Sequence, residues 1–291
     1  MSDKFTELNS TTNQHIKLAA SLQQKKYREQ HELVLLEGEK LVQSALNSKQ
    51  SFYQLFATKE SILEKYIDLK CELFLVNEAC LGKIASTKSI PSLIAVINKP
   101  KSLNGYQNSE ETVATSTNAE SNAAISNAVI DNLKPTPNNL ISHKHKRNYT
   151  LDIFLDNISD PGNLGSIIRT CLAADIENIY LSSSCADLFN PKTLRASVGS
   201  IFNINLAYAD LEELTKQYQT LASTPRGTYN LAELKSKLKA DSKYLMLVGS
   251  EAEGLSERTI SKANYSFKID INPRIESLNV LAATSVIVFT L

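Results

Sequence analysis

The sequence predicts an α/β protein of two domains: a small α/β/α layer domain, then a larger one built on a mostly parallel sheet. Three observations predict it. Through residues 1–100, strand-like apolar runs alternate with amphipathic helical patterns, which packs helices in layers on a sheet. After Lys101 the texture changes to a long run rich in Asn, Ser, Thr and Ala. From about residue 148 apolar runs again alternate with helices, the pattern of a mostly parallel sheet covered on both faces.

Taken in order, a helical pattern spans Ile16–Gln30 and leads to a strand at Leu33–Leu36. Glu37-Gly38 follows as a junction, then a helix from Glu39 to Asn47. Further strands are predicted at Phe52–Ala57, Glu72–Val76 and Ser92–Ile97. Residues 101–147 have too little apolar surface to offset the entropy of ordering, so they read as a flexible linker. Their length exceeds what a compact domain keeps as structureless loop, which puts a domain boundary there. In residues 148–291 the strands are Leu151–Leu155, Ile179–Leu181, Phe202–Leu206, Leu245–Val248 and Phe267–Ile271. Helical patterns cover Leu164–Ala174, Lys192–Ser197, Leu211–Tyr218 and Leu231–Leu238. The second starts well, with Asn190 as cap and Pro191 in its first turn.

Composition narrows the function. With 291 residues, 42% hydrophobic and 21% charged, the chain has room for two real cores. The polar opening MSDKFTELNSTTNQ has no signal-peptide core, and the apolar stretch Val280–Leu291 is too short to span a bilayer. A cytoplasmic protein without membrane contact is expected. The four cysteines lack C-x-x-C spacing, so no metal site is predicted and buried reduced thiols are the plainer reading. All four histidines precede the second domain, which leaves a Ser-His or Cys-His hydrolase there without its usual base. Net charge is zero, yet Lys25, Lys26 and Arg28 cluster, as do His143 to Arg147. Such clusters can hold phosphates, but most are solvated surface, so alone they count little.

Three strand-end junctions carry candidate chemistry, because ligands of α/β sheets bind at the carboxyl ends of strands. In LDNISDPGNLGSIIRT, from Leu155, Pro161 and Gly162 turn the chain, Asn163 is placed to cap a helix, and Gly165 permits close approach. Ile167, Ile168, Cys171 and Leu172 form that helix's apolar stripe, and Arg169 lies away from it. Alone, the segment is equally a capped turn with a surface arginine. In LMLVGSEAEGLS, from Leu245, Gly249 would let a flat ligand lie on the backbone. Glu251 could serve a hydroxyl, a base or an arginine, while Glu253 reads as a solvated acid. In IESLNVLAATS, from Ile275, Ser277 could be an ordinary N-cap. Asn279, on the first turn of an apolar helix, needs a partner.

Together, DPGNLGSIIRT, GSEAEGLS and ESLNV, in this order, resemble the signature of the SpoU/TrmH family of RNA ribose 2′-O-methyltransferases, members of the knotted SPOUT class. RASVGSIFNI from Arg195 is similar to the family's intervening segment. NQHIKLAASLQQKKYREQHELVLLEGEKLVQSAL and IASTKSIPSLIAVI resemble its appended RNA substrate-binding domain. The resemblance implies a carboxyl-terminal SPOUT α/β trefoil-knot domain that binds S-adenosylmethionine, acts as a homodimer and needs no metal. It implies Asn163, Arg169, Glu251, Ser277 and Asn279 as catalytic or substrate-orienting residues. Gly249, Ile269 and Leu278 match cofactor-contact positions, and Lys25, Lys26, Arg28 and Arg195 are RNA-contact candidates. Ile269-Asp270-Ile271 followed by Asn272-Pro273 departs from the family's usual Ile-Pro-Met. The expected reaction is in-line attack of a ribose 2′-oxygen on the sulfonium methyl, with ribosomal RNA as the expected substrate and transfer RNA as the alternative. The rival is an inactive RNA-binding adaptor of the same fold.

Overall fold

The structure, a computed structural model, describes residues 5–100, 147–250 and 253–291. The expected linker, apart from Arg147, and Glu251 lie outside the described residues. The chain divides into two compact units, one formed by residues 1–100 with 187–202 and the other by residues 101–186 with 203–291.

Unit 1 has a five-stranded sheet of β1 (Thr6–Leu8), β2 (Leu33–Glu37), β3 (Phe52–Ala57), β4 (Glu72–Val76) and β5 (Leu93–Asn98). Spatial order is β1-β4-β3-β5-β2, with β1, β4 and β3 parallel and β5 antiparallel to both its neighbours. Its helices are α1 (Gln14–Ser21), α2 (Lys25–His31), α3 (Glu39–Asn47), α4 (Glu60–Leu63) and α5 (Glu78–Ile84). Ile16 and Ala19 of α1 and Cys80, Leu81 and Ile84 of α5 share a core with Leu33, Leu35, Phe56, Phe74, Ile94 and Val96. The helix expected over Ile16–Gln30 is two helices. The break at Leu22–Gln24 lets Arg28 turn inward and donate to the Leu22 carbonyl at 2.7 Å.

Residues Asp187–Phe202, which the sequence places in the second domain, group with unit 1. They include α7 (Pro191–Ser197), started as expected by Asn190, whose side chain accepts from the Lys192 N–H. Asp187 pairs with Arg28, and Arg195 donates to Glu37 Oε1 at 3.1 Å. Gly199 has φ +85, and a Cβ there would lie 2.2 Å from Ser44 Oγ.

Unit 2 carries a seven-stranded sheet in which every pairing is parallel. Its strands are β6 (Thr150–Leu155), β7 (Asn178–Leu181), β8 (Asn205–Tyr208), β9 (Gln219–Ser223), β10 (Tyr229–Asn230), β11 (Lys243–Val248) and β12 (Tyr265–Lys268). Spatial order is β10-β12-β9-β11-β6-β7-β8. Helices α6 (Pro161–Ala173), α8 (Leu211–Leu214), α9 (Leu231–Lys237), α10 (Glu257–Lys262) and α11 (Val280–Thr290) complete it. The predicted strand Phe202–Leu206 begins later, at Asn205, because Ser200–Phe202 closes a 3-10 turn. The predicted helix Leu211–Tyr218 stops at Leu214, so that Tyr218 enters the core and donates to buried Asp152 at 2.7 Å. The last helix is well held. Arg147 donates to the Ala174 and Val288 carbonyls, Lys235 to Thr290 and Tyr149 to Leu291.

Candidate active site

The three motifs converge on the carboxyl edge of the unit 2 sheet. Strands β6 and β11 are neighbours in register, Leu155 opposite Val248. Beyond them the Asp156 N–H donates to the Val248 carbonyl at 2.8 Å, tying the first two motif loops at their roots. Strand β9 lies between β11 and β12, so the turn Thr224–Gly227 leaves the same edge. Helix α11 of the third motif packs against α6 of the first.

In the first motif the N-cap is Asp160 rather than Asn163: its carboxylate accepts from the Asn163 N–H at 2.8 Å, and Pro161 takes the first helical position. Proline lacks the N–H that such a position leaves unpaired, which fixes the start there. Asn163 is therefore the third helical residue and half-buried. Leu164, Gly165, Ile167, Ile168 and Cys171 face the core. Arg169 is exposed, and its side chain makes no hydrogen bond or ion pair with the described residues.

In the second motif Gly249 is required by the chain itself. A Cβ there would sit 2.1 Å from the Gly254 carbonyl carbon, because Gly254 folds back over it in an isolated bridge with Ser250. Close approach is real, but the surface that approaches is the loop's own backbone. Gly254 has φ +67 and donates to the Ser250 carbonyl at 3.0 Å. Glu253 is exposed.

In the third motif Ile269 is half-buried just past β12, and Leu278 is half-buried just before α11. Asn279 is the N-cap of α11 and accepts from the Leu281 N–H at 2.9 Å. The expectations for Ser277 as the cap and for Asn279 as a polar group entering a buried region are both corrected. Asn279 is exposed with a local partner, and Ser277 is exposed two residues ahead of it.

The RNA-contact candidates of unit 1 divide. Lys25 and Lys26 are exposed, Lys25 sharing an exposed pair with Glu29 at 3.5 Å. Arg28 is only 3% exposed and is committed to Leu22 and Asp187, which removes it from the phosphate-binding set. Arg195 donates to Glu37, whose side chain is buried, and to Ser86, so it too serves the fold.

Sequence reasoning missed the Thr224–Gly227 turn because it missed β9. A Cβ at Gly227 would meet Phe267 backbone at 2.1 Å, which seats this turn against β12. Pro225-Arg226-Gly227 was the available signal. Elsewhere in unit 2, Asp152 accepts from Tyr218 and from the Asn178 backbone and side chain. Burial outweighs those bonds and pushes its carboxyl up to about 6. Asn178 and Asn205 open their strands, so this cluster sits in the amino-terminal half of the sheet, away from the motif loops.

Residues 150–289 match the model of the SpoU rRNA Methylase family, and residues 13–95 match that of the MRM3-like substrate binding domain. Residues 150–289 are a SpoU methylase domain, and residues 13–95 an MRM3-like substrate binding domain. It is 28% identical to an uncharacterized tRNA/rRNA methyltransferase of Synechocystis sp., over 99% of this chain and 94% of that one. It is 25% identical to the 23S rRNA (guanosine(2553)-2′-O)-methyltransferase RlmP of Bacillus subtilis, over 98% of each. In fold it resembles an AdoMet-bound rRNA methyltransferase from Sinorhizobium meliloti, with a TM-score of 0.74 at 24% identity over 99% and 97% of the two chains.

Proposed function

We propose that the protein is an S-adenosylmethionine-dependent methyltransferase acting on a ribose 2′-hydroxyl of ribosomal RNA. One observation carries the reading: Arg169, whose side chain is exposed and has no partner among the described residues, stands on the helix that starts at the edge where all three motif loops emerge. The RlmP likeness, spanning both units, favours ribosomal RNA over transfer RNA.

The loops suit the methyl donor. Ile269 and Leu278, both half-buried, offer apolar surface for a flat base. When bound, S-adenosylmethionine supplies an activated methyl group. The chain's own residues do the positioning. Arg169, whose guanidinium offers only donors, clamps phosphate and steadies charge developing on the 2′-oxygen. Asn163, in the first turn of α6, orients the ribose. Glu251, Ser277 and Asn279 complete the proposed set, Ser277 and Asn279 from the exposed rim and Asn279 through atoms its capping bond leaves over. Lys25 and Lys26 hold RNA backbone in unit 1.

The trefoil knot and the homodimer belong to the same proposal. The packing of α11 on α6 supports the first. The exposed Val286 and Phe289 on α11 support the second, and sedimentation at the mass of one chain would remove it. A cytosolic site of action accords with four free cysteines. Labelled S-adenosylmethionine incubated with ribosomal RNA from cells lacking the protein tests the reading. Label on ribose 2′-oxygens, lost in Arg169→Ala, is expected. RNA and cofactor binding without transfer would instead establish an adaptor.

A further inference from the structure

We infer that the turn Ser182–Cys185, which follows β7 and belongs to none of the three motifs, is a clamp that positions the first motif loop for methyl transfer. The inference rests on the function proposed above and adds two positioning residues to it.

The loop has only four residues, Asp156 to Ser159, between the end of β6 and the Asp160 cap of α6. Whatever fixes those residues fixes where α6 begins, and with it Asn163 and Arg169. Ser182 and Cys185 fix two of them. The Asn157 N–H donates to Ser182 Oγ at 2.9 Å, and the Ile158 N–H donates to Cys185 Sγ at 3.4 Å. The Cys185 thiol in turn donates to the Leu155 carbonyl at 3.3 Å. Backbone bonds flank these, from the Ser182 N–H to Leu155 at 3.0 Å and from the Ala186 N–H to Ile158 at 2.8 Å.

Two features separate this arrangement from ordinary packing. Asn157 has φ +56, the left-handed region, where an L residue stays only when its surroundings hold it. Ile158 is fully buried, so its N–H has no water to fall back on if the sulfur is removed. Burial also pushes the Cys185 thiol up, which keeps it neutral. A neutral thiol donates to one backbone group and accepts from another at once. A serine hydroxyl does the same; alanine does neither.

The test compares Cys185→Ala, Ser182→Ala and Cys185→Ser with the unaltered full chain. Each is assayed for kcat and KM with S-adenosylmethionine and ribosomal RNA from cells lacking the protein, for S-adenosylmethionine affinity by calorimetry, and for thermal midpoint. A small misplacement of reacting groups costs rate rather than binding, so both alanine variants should lose about tenfold or more in kcat. Cofactor affinity should stay unchanged, and Cys185→Ser should recover kcat. A packing role alone would lower the thermal midpoint, leave kcat of the folded protein intact and gain nothing from serine. Wild-type kcat in both alanine variants, or a serine variant as slow as alanine, overturns the clamp while the function stands. A wild-type protein that transfers no methyl group overturns both.

Discussion

Asp152→Asn should stabilise the protein at neutral pH and remove a pH dependence that the wild type carries. Asp152 is 1% exposed, and its carboxyl is raised from the usual 3.8 to about 6, first by burial and against the pull of Tyr218 and Asn178. A group whose folded pKa is raised contributes its full stability below the unfolded value and loses it as pH rises through the folded value. Here the window runs from the usual 3.8 up to about 6. At about 1.4 kcal/mol for each pKa unit, the whole interval is worth about 3 kcal/mol, and the part between about pH 4.5 and pH 7.5 about 2 kcal/mol. Asparagine fits the site. Its oxygen accepts from Asn178, its amide donates to Tyr218, and Tyr218 then donates to Tyr180, whose hydroxyl is 3.1 Å away. Urea unfolding of both proteins across this range reads the gap directly. The variant should gain about 2 kcal/mol on the wild type as pH rises. A constant gap, or one that narrows, would refute the account of Asp152 as a buried carboxyl held partly protonated.

Other perturbations separate fold from function. Arg28→Ala leaves Asp187 without its cation and should cost about 3 kcal/mol in denaturant unfolding, as broken buried pairs do, whereas Lys25→Ala with Lys26→Ala should leave stability unchanged and weaken RNA binding. Filter binding across a salt series checks the second half. Gly249→Ala drives a Cβ into Gly254 backbone and should cost about 1–3 kcal/mol while lowering S-adenosylmethionine affinity in calorimetry.

What the sequence disclosed depended on how strongly local chemistry spoke. Helix Glu39–Asn47 and strands Phe52–Ala57 and Glu72–Val76 were legible at both ends, because apolar periodicity ran between clear breakers. Strand β9 was not. Its sequence QTLAS is half polar, and Thr220 tolerates burial only because the distant Asn264 accepts from its N–H at 2.7 Å. The split between α1 and α2 was hidden for a similar reason, since the side chain that rewards it, Arg28, finds Asp187 across 159 residues of chain. At the site, motifs located the loops but not the caps. DPGN and ESLN each offer two capping residues, and helix position chose Asp160 and Asn279. Strand order was beyond reach, because periodicity identifies buried strands without saying which lie side by side.

The central claim is that Arg169 works on a ribose beside a bound methyl donor. Mapping 2′-O-methyl groups on ribosomal RNA from cells that lack the protein, carry it, or carry Arg169→Ala tests it most directly. The account predicts a ribose methyl present only with the unaltered protein, while Arg169→Ala accumulates as a folded chain. The same modification pattern in all three cells would contradict it.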